Sequence, residues 1–356
     1  MRILFYINVL NGGGAERVIA NLANAFSDGH EIIVLNTYKT ENEYVLKENV
    51  THDYLEKEIL QGNVIVRNYK RIKNLRGKIK YYNPDIAISF MAEPNIRLLL
   101  STVGLKNKLL VSVRNDPKIE YKTSLTRFLM KLLCLRVDGI VFQTTDAKNY
   151  FPTYMQKKSK IIYNPVKKDF YENSYSVNEK NNIVSVGRLT KQKNFLFLIR
   201  SFALIKDECK DNLYIYGDGE MKDDLIKLIE SYKLQDRVFL MGNSSNLPTV
   251  LQNYKLFILP SDFEGMPNAL MEAMATGLPC ISTDCPCGGP KELLDSDCLV
   301  EIRNEKELSN KILSFSNDYK MLDLLSNKNK LTAKTFHEDN VVKIWMDFIT
   351  SIVEDW

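Results

Sequence analysis

Histidine is scarce in this sequence, and it contains no long apolar run. Only three histidines occur in 356 residues, and none lies beside a nucleophile motif, so a serine or cysteine hydrolase is not expected. They are His30, His52 and His337. No apolar run reaches the roughly 18 residues that a membrane-spanning helix needs. The short amino-terminal stretch MRILFYINVL leads straight into a glycine loop, which favours a first β-strand over a signal peptide.

The six cysteines do not have the spacing of a common zinc site. Four of them cluster late in the chain, and no histidine lies near that cluster. The sequence therefore predicts reduced thiols and no metal site. The cysteines are Cys134, Cys209, Cys280, Cys285, Cys287 and Cys298.

Positive charge is unevenly distributed along the chain. Residues 1–165 hold 25 Lys and Arg against 15 Asp and Glu, whereas the rest of the chain holds 23 against 29. The basic first half is therefore expected to meet something anionic.

Short apolar runs alternate with helical patterns throughout, which is typical of α/β domains with parallel sheets. We expect two such domains, residues 1–164 and 165–335, and a carboxyl-terminal helix in 336–356 that packs back toward the first domain. The polar, aperiodic stretch YNPVKKDFYENSYSVNEKNN, residues 163–182, is the predicted linker. The expected strands are Ile3–Ile7, Glu31–Leu35, Ile86–Phe90, Lys108–Val113, Gly139–Gln143, Ile183–Val186, Asn212–Tyr216, Val238–Met241, Leu256–Leu259 and Cys280–Thr283.

Glycines recur after the predicted strands. Open α/β sheets bind ligands outside the carboxyl ends of their strands, so this repetition indicates a backbone that a ligand approaches closely. A dinucleotide-dependent dehydrogenase is not favoured, because Arg17 stands where G-x-G-x-x-G needs glycine and the next strand ends at Asn36 rather than at an acid. The glycines are Gly12, Gly13, Gly14, Gly187, Gly217, Gly219, Gly242, Gly288 and Gly289.

The stretch EGMPNALMEAM, residues 264–274, places Glu264 in a loop and Glu272 in the second turn of a helix. The helix is expected to start near Pro267 and to end before Gly277. Eight helical residues span roughly 12 Å, too far for both carboxylates to hold one metal. The free amides between them form an anion site, so the stretch suits a nucleotide sugar. By themselves the glutamates also fit a dipole-compensating residue and a solvated one.

The stretch GRLTKQKN, residues 187–194, places Arg188 and Lys193 just after a strand end. Arg can hold a diphosphate leaving group with its planar fork, and Lys can hold it as a point charge. Taken alone, two such residues are more often solvated cations.

Together, GRLTKQKN and EGMPNALMEAM resemble the glycine-Arg…Lys pair and the E-x7-E motif of glycosyltransferase family 4. NGGGAER, YNPV and CGGPKEL resemble further motifs of that family, and the resemblance covers nearly the whole chain. It implies a retaining enzyme of the α/β GT-B fold, with two Rossmann-like parallel-sheet domains facing a central cleft. The first domain would hold the acceptor and the second the nucleotide-sugar donor.

The resemblance implies a role for each matching residue. Glu272 would hold the ribose hydroxyls of a UDP-sugar, and Glu264 would contact the transferred sugar. Arg188 and Lys193 would bind the donor phosphates, so Glu264, Arg188 and Lys193 form the expected catalytic set, and no metal or other cofactor is expected. The first-domain glycines would let that domain close on the donor phosphate and the acceptor. The expected substrate-binding residues are Gly13, Gly14, Arg114, Gly187, Gly265, Met266, Pro267, Asn268, Ala269 and Glu272.

Arg114 marks a departure from the family, many of whose members carry a histidine near this strand end. In VSVRNDP the arginine is expected to contact the sugar or an acceptor phosphate, or equally to form a structural ion pair. The transferred sugar stays open among N-acetylgalactosamine, galactose, glucose and N-acetylglucosamine, since loop geometry reads hydroxyl stereochemistry.

Within the family, AERV, RNDP and TDCPCGGPKEL look most like bacterial enzymes of capsule, O-antigen or lipid-linked oligosaccharide assembly. This implies a polyprenyl-diphosphate-linked acceptor and a peripheral position on the cytoplasmic face of the membrane. The basic stretch RNYKRIKNLRGKIK, residues 67–80, fits an anionic membrane or lipid diphosphate, with Ile72, Leu75 and Ile79 as one apolar stripe. A solvated helix is nearly as well supported, and nucleic acid is least favoured because no aromatic stacking platform accompanies the charge.

Two other functions stay open beside a hexosyl- or N-acetylhexosaminyltransferase. A non-catalytic nucleotide-sugar-binding subunit would be expected to have a degenerate site, yet the second-domain motifs are intact. A GT-B epimerase would be expected to have paired catalytic acids and a histidine-rich cleft, which this chain lacks.

Overall fold

The chain folds into two compact units. The computed structural model describes residues 1–56, 62–172, 175–177 and 180–354. Unit 1 comprises Met1–Asn164 and Val341–Trp356, and unit 2 comprises Pro165–Asn340. The predicted linker falls partly outside the described residues, at 173–174 and 178–179. Its residues from Pro165 onward belong to unit 2.

Unit 1 is built on a seven-stranded parallel sheet in the order β3-β2-β1-β4-β5-β6-β7. The residues from Ile3 to Ile7 in β1 are at most 1 % exposed, because a parallel sheet is covered on both faces. The strands are β1 (Arg2–Ile7), β2 (Glu31–Tyr38), β3 (Thr51–Glu56), β4 (Ile86–Phe90), β5 (Lys108–Ser112), β6 (Gly139–Phe142) and β7 (Ser159–Ile161). The helices are α1 (Gly14–Phe26), α2 (Val64–Tyr82), α3 (Ala92–Ser101), α4 (Pro117–Glu120), α5 (Ser124–Leu133), α6 (Thr145–Asn149) and α7 (Thr153–Lys157).

Unit 2 repeats this architecture with a six-stranded parallel sheet in the order β10-β9-β8-β11-β12-β13. The strands are β8 (Ile183–Val186), β9 (Leu213–Tyr216), β10 (Val238–Gly242), β11 (Leu256–Leu259), β12 (Cys280–Thr283) and β13 (Leu299–Val300). The helices are α8 (Phe195–Ala203), α9 (Lys222–Ser231), α10 (Leu247–Leu251), α11 (Asn268–Thr276), α12 (Gly289–Leu293), α13 (Glu305–Asn317) and α14 (Tyr319–Ala333).

The final helix, α15 (Glu338–Glu354), contributes to the core of unit 1 from Val341 onward. Trp345 is fully buried and stacks on Phe90 with 5.4 Å between ring centroids. A Cβ on Gly139 would lie 2.4 Å from the Ile352 side chain, so β6 begins with glycine where this helix packs. No helix in the described part of the chain is long and apolar enough to cross a membrane.

Two of the three residues in the apolar stripe of α2 pack into unit 1 and cannot face a membrane, whereas Ile72 is half-buried. Leu75 and Ile79 are fully buried. Arg71 forms a buried ion pair with Glu56, with 2.5 Å between Nε and Oε1. A stripe at helical spacing is what a core-facing helix also needs, and here the core covers it. Lys70 and Lys73 stay exposed on the outer side.

Candidate active site

The stretch EGMPNALMEAM forms the predicted loop and helix in unit 2. Helix α11 follows Pro267, which occupies the N-cap position, and ends at Gly277 in the left-handed conformation with φ 96°. A Cβ on Gly277 would lie 2.3 Å from the Lys330 side chain, so glycine is required here on two grounds. Because the first turn of an α-helix leaves its amides without intrahelical acceptors, α11 presents N–H groups at the carboxyl end of β11.

The two glutamates of this stretch are buried. Glu264 and Glu272 are each 6 % exposed. Carboxylates are rarely this buried unless paired or hydrogen-bonded, so the alternative of a solvated Glu272 is wrong. Glu264 precedes α11 in the chain, and Glu272 lies in the second turn of the helix.

Lys193 and Glu264 meet directly. Lys193 Nζ lies 2.5 Å from Glu264 Oε1, and the side chains are 16 % and 8 % exposed. The Ser261 hydroxyl donates to the same oxygen at 2.7 Å. The absence of a side chain on Gly187 makes room for the lysine stem, since a Cβ there would lie 3.3 Å from Lys193 Cδ. The sequence predicted both charged residues but not that they pair.

The loop of Glu264 is fixed by the later motif CGGPKEL. The Glu264 amide donates to the Pro286 carbonyl at 2.6 Å, and the Glu264 carbonyl accepts from the Cys287 amide at 2.7 Å. A Cβ on Gly289 would lie 1.8 Å from the Gly265 carbonyl oxygen. Gly289 therefore permits this motif to pack directly against the backbone of the loop ahead of α11. The sequence did not reveal this role.

Arg188 follows β8 and is exposed, within a loop held by close backbone packing. A Cβ on Gly217 would lie 1.9 Å from the Gly187 carbonyl oxygen, and one on Gly219 would lie 2.6 Å from that of Leu189. These two glycines are therefore required by the contact between the loops after β8 and β9. The prediction that a ligand also approaches this backbone closely stays a prediction.

A cavity of about 400 Å³ opens beside the Lys193 loop. Its wall includes Asp262. The Asp262 carboxylate accepts from the side-chain Nδ2 of Asn194 at 2.7 Å and forms an ion pair with Arg303 at 2.7 Å. Arg188, Lys193, Glu264 and Glu272 do not line it, so this cavity is not the predicted donor site.

In unit 1, the glycines of NGGGAER lie between the carboxyl end of β1 and the start of α1. Gly12 has a left-handed φ of 64°, Gly13 is the N-cap residue and Gly14 is the first helical residue. A Cβ on Gly13 would lie 1.9 Å from Glu16 Oε2, and the Tyr44 hydroxyl donates to the Gly13 carbonyl at 3.3 Å. The Glu16 carboxylate therefore occupies the space where a side chain on Gly13 would lie, and Tyr44 holds the loop by a hydrogen bond.

Arg114 lies just beyond the carboxyl end of β5, and it is 8 % exposed. Its Nη2 donates to Asn164 Oδ1, and its guanidinium carbon lies 4.7 Å from the centre of the Phe90 ring. Within the described ranges, its Nε has no hydrogen-bond partner, and no ion pair joins it to an acid. The ion-pair alternative is therefore wrong, and burial lowers the pKa of Arg114 to about 9.

Glu120 lies near Arg114 without pairing with its guanidinium. Its Oε2 accepts from the amides of Arg114 and Asn115 at 3.2 Å each, whereas its shielded Oε1 has no partner among the residues described. Burial raises the pKa of Glu120 to about 7. Unit 1 thus holds a buried cation and a half-buried acid that form no ion pair with each other.

Arg97 on α3 is a candidate that the sequence analysis missed. It is 3 % exposed, donates to Asn8 Oδ1 at 2.7 Å and to the Tyr6 hydroxyl at 2.5 Å, and pairs with Glu93. Asn8 follows β1, so this cluster lies at the carboxyl end of that strand, as does Gly13 at the start of α1. The available signal was the Glu93–Arg97 spacing of four residues.

The cysteines are buried and form no disulfide. Burial raises the pKa of the Cys134 and Cys285 thiols to about 12, which makes them poor nucleophiles and poor metal ligands. In the ranges that the structure covers, no group of three or more His, Cys, Asp or Glu is arranged to hold a metal ion.

Both halves of the chain match sequence models of glycosyltransferases. Residues 12–170 match Glycosyltransferase Family 4, and residues 167–332 match Glycosyl transferases group 1. The chain belongs to glycosyltransferase family 4 and is a glycosyltransferase, as the two motifs predicted.

Two curated relatives from Campylobacter jejuni subsp. jejuni align along nearly the whole chain. One is named GalNAc-alpha-(1->4)-GalNAc-alpha-(1->3)-diNAcBac-PP-undecaprenol alpha-1,4-N-acetyl-D-galactosaminyltransferase and is 27 % identical over 361 residues, 99 % of each chain. The other is named N-acetylgalactosamine-N,N'-diacetylbacillosaminyl-diphospho-undecaprenol 4-alpha-N-acetylgalactosaminyltransferase. It is 29 % identical over 362 residues, 95 % of this chain and 96 % of the relative.

Among solved structures, Anabaena HepE in complex with UDP-glucose has a similar fold. The TM-score is 0.82 at 17 % identity, and the alignment covers 99 % of this chain and 100 % of HepE. At this identity the likeness concerns the fold, and the predicted GT-B class is confirmed.

Proposed function

We propose that this glycosyltransferase moves a hexose or N-acetylhexosamine from a UDP-sugar, with retention of anomeric configuration, to a polyprenyl-diphosphate-linked saccharide. The acceptor would belong to a bacterial surface polysaccharide or a lipid-linked oligosaccharide. The observation that carries the proposal is the buried Lys193–Glu264 pair directly ahead of the amino terminus of α11. The cation comes from the loop after β8, and the carboxylate comes from the loop between β11 and α11.

The names of similar proteins support both substrates. The two Campylobacter relatives are named for undecaprenol-linked acceptors, and HepE was crystallised with UDP-glucose. The identities of 27 and 29 % extend over nearly full length, which favours a related acceptor class for this chain.

Charge is the physical basis of the donor assignment. Breaking the bond between the anomeric carbon and the diphosphate leaves negative charge on UDP, and Arg188, Lys193 and the α11 amides would stabilise it without a metal. Among the described residues, Lys193 and Ser261 both donate to Oε1 of the Glu264 carboxylate, which leaves Oε2 to accept from a sugar hydroxyl. Glu272, eight residues further on, would hold the ribose.

The acceptor is assigned to unit 1. Gly13 and Gly14 lie at the carboxyl end of β1, and Arg114 lies at the carboxyl end of β5. Arg114 would bind an acceptor phosphate or a sugar oxygen. The exposed Lys70 and Lys73 of α2 would assist with the lipid diphosphate, in a protein held peripherally on the inner face of the cell membrane.

The decisive experiment incubates the purified chain with radiolabelled UDP-N-acetylgalactosamine, UDP-galactose, UDP-glucose or UDP-N-acetylglucosamine and an undecaprenyl-diphosphate-linked saccharide. We expect label in the lipid-linked product for one donor, and NMR of the new linkage should show the anomeric configuration of the donor. Inversion would exclude the retaining course. Binding of UDP without transfer from any of the four sugars would favour the non-catalytic alternative, and interconversion of free UDP-sugars would favour the epimerase.

A further inference from the structure

Helix α5 of unit 1 carries large apolar side chains on both of its faces. It starts at a Thr123–Thr126 capping box, which fixes its register. On the inner face, Met130 is fully buried. On the outer face, Leu125, Phe128 and Leu132 are 65, 62 and 49 % exposed.

The exposed apolar residues follow helical spacing. Positions 125, 128 and 132 are separated by three and four residues, so they form one stripe along the outside of α5. Leu135, in the turn that follows, is 56 % exposed and extends the apolar surface. An exposed patch of contiguous large apolar residues marks a place where the protein meets an apolar partner.

The charges around this stripe are positive. Lys122 and Lys131 are exposed, and the described structure gives neither of them an ion-pair partner. Between residues 117 and 136 the sequence has one acid, Glu120. The carboxylate of Glu120 is turned toward the backbone amides of Arg114 and Asn115. The outer face of α5 therefore combines apolar side chains with uncompensated cations.

Helix α14 of unit 2 shows that exposed leucines alone do not make such a surface. Leu324 and Leu331 are 68 and 66 % exposed. Lys328, between them in sequence, pairs with Asp295, and Asp323 adds a negative charge beside the leucines. The charges of α14 are mixed, whereas those around the stripe of α5 have one sign.

We propose that the outer face of α5 docks unit 1 on an anionic lipid bilayer, with Leu125, Phe128 and Leu132 in the acyl boundary and Lys122 and Lys131 at the headgroups. An amphipathic helix with a basic margin binds this way, and a few inserted side chains are sufficient. A second copy of the chain fits less well, because stable dimers bury roughly 1,200–2,000 Å² and the same cations would face each other.

The position of α5 agrees with the proposed function, on which this inference rests for its biological meaning. Helices α4 and α5 follow the carboxyl end of β5, where Arg114 lies. Helix α3 packs against both α5 and α2, so the exposed Lys70 and Lys73 belong to the same helical layer. Docking through α5 would bring the acceptor side of unit 1 to the surface where a lipid-linked diphosphate resides.

The test is flotation of the full chain with vesicles of phosphatidylcholine containing phosphatidylglycerol, with no donor or acceptor present. We expect binding that depends on phosphatidylglycerol and weakens with added salt. Leu125→Ser/Phe128→Ser/Leu132→Ser should weaken it by about tenfold or more, and Lys122→Gln/Lys131→Gln by roughly tenfold. The matched control Leu324→Ser/Leu331→Ser, equally exposed but in unit 2, should bind as the wild type does.

Thermal unfolding and light scattering accompany each variant. The inference is overturned if the wild type does not float with vesicles, if the triple α5 variant floats unchanged, or if the α14 control loses binding equally. A change in oligomeric state in the α5 variant, with vesicle binding retained, would assign the stripe to a second copy instead. Since no sugar is transferred in this assay, vesicle binding by a chain that fails the transfer test would contradict the proposed function alone.

Discussion

The two units build their candidate sites in different ways. In unit 2, Lys193 and Glu264 lie in short segments that carry recognisable motifs, and their charges are already paired at 2.5 Å. In unit 1, Arg114 is brought beside Phe90 and Asn164 by the fold, and its charge has no acidic partner within the described structure. The proposed donor side therefore contains a lysine and a glutamate that are already paired, whereas the proposed acceptor side contains a buried cation without an acidic partner among the described residues.

This difference indicates where each kind of specificity resides. A diphosphate common to many nucleotide sugars can be held by the same cations, helix amides and glycine-clamped loops in many enzymes. The acceptor varies, and the buried cation Arg114 at the carboxyl end of β5 is suited to one anionic or polar group at one place.

The largest effects are expected at the glutamates of unit 2. Glu264→Ala should lower turnover by about 100- to 1,000-fold, the usual cost of removing one group that stabilises the transition state. It should leave the affinity for UDP nearly intact, because UDP lacks the sugar. Glu272→Ala should instead weaken UDP binding by roughly tenfold or more, since a charged hydrogen bond to the ribose is lost.

Calorimetry with UDP and initial rates with the full donor separate these two roles. Glu230→Ala, an exposed residue of α9, is the matched control and should change neither quantity. Equal loss of UDP affinity in the Glu264 and Glu272 variants would contradict the assignment of Glu264 to the sugar and Glu272 to the ribose.

Removing one partner of the buried pair should destabilise unit 2. Lys193→Met leaves Glu264 with an uncompensated charge, and we expect the free energy of unfolding to fall by about 3 kcal/mol. The double variant Lys193→Met/Glu264→Gln should recover most of that loss, because no lone charge stays buried. Urea unfolding of the single and double variants measures the coupling, and strictly additive losses would show that the pair is not electrostatically linked.

The acid of unit 1 should make stability depend on pH. Burial raises the pKa of Glu120 from its ordinary value of 4.5 to about 7, so the folded chain keeps this proton after the unfolded chain has lost it. Stability from this group is therefore full below pH 4.5 and is lost as the pH rises through 7, by about 3 kcal/mol at 1.36 kcal/mol per unit. In urea unfolding, the free energy of unfolding of Glu120→Gln should lack this part of the decline between pH 5 and 8. A variant with the same pH profile as the wild type would show that Glu120 does not cause the decline.

Arg114→Gln should act on the acceptor side. The substitution removes the buried charge that an acceptor phosphate would meet, so the KM for the lipid-linked acceptor should rise by about tenfold. The affinity for UDP should not change, since the donor residues belong to unit 2. Lys106→Ala, an exposed residue of unit 1, serves as the control for a simple change of net charge. A loss of UDP affinity in Arg114→Gln with the acceptor KM unchanged would reverse the proposed assignment of substrates to units.

The contrast between local motifs in unit 2 and contacts made by the fold in unit 1 also explains how much of the structure could be predicted from the sequence. All ten predicted strands are present, because buried central strands are apolar runs that a single sequence displays. The three unpredicted strands, β3, β7 and β13, each lie at a sheet edge, where THDYLE and SKI are polar and β13 has only two residues. Edge strands need little apolar surface, so periodicity does not mark them.

The side chains also show that features local in sequence were easier to predict than contacts made by the fold. The segment from Glu264 to Glu272 is local, and its helix start, its helix end and its buried carboxylates agree with the spacing. The stripe of α2 was detected correctly, but a periodic pattern does not state whether core or membrane covers it. The clustering of Arg97 with Asn8 depends on contacts across about ninety residues, which only the fold supplies.

The smallest effect is expected from a chelator, and it tests whether unit 2 is sufficient by itself. Arg188 and Lys193 carry two positive charges, and the amino terminus of α11 adds a further partial charge of roughly half a unit. These groups offset the charge that develops on the leaving diphosphate, the task that Mg²⁺ or Mn²⁺ performs in other transferases. Activity with the full donor and acceptor should therefore change by less than about twofold in EDTA, with Mg²⁺-saturated EDTA as the control. Activity that disappears in EDTA and returns with either metal would show that the cations and helix amides of unit 2 do not suffice, and the expectation of a metal-independent donor site would then be wrong.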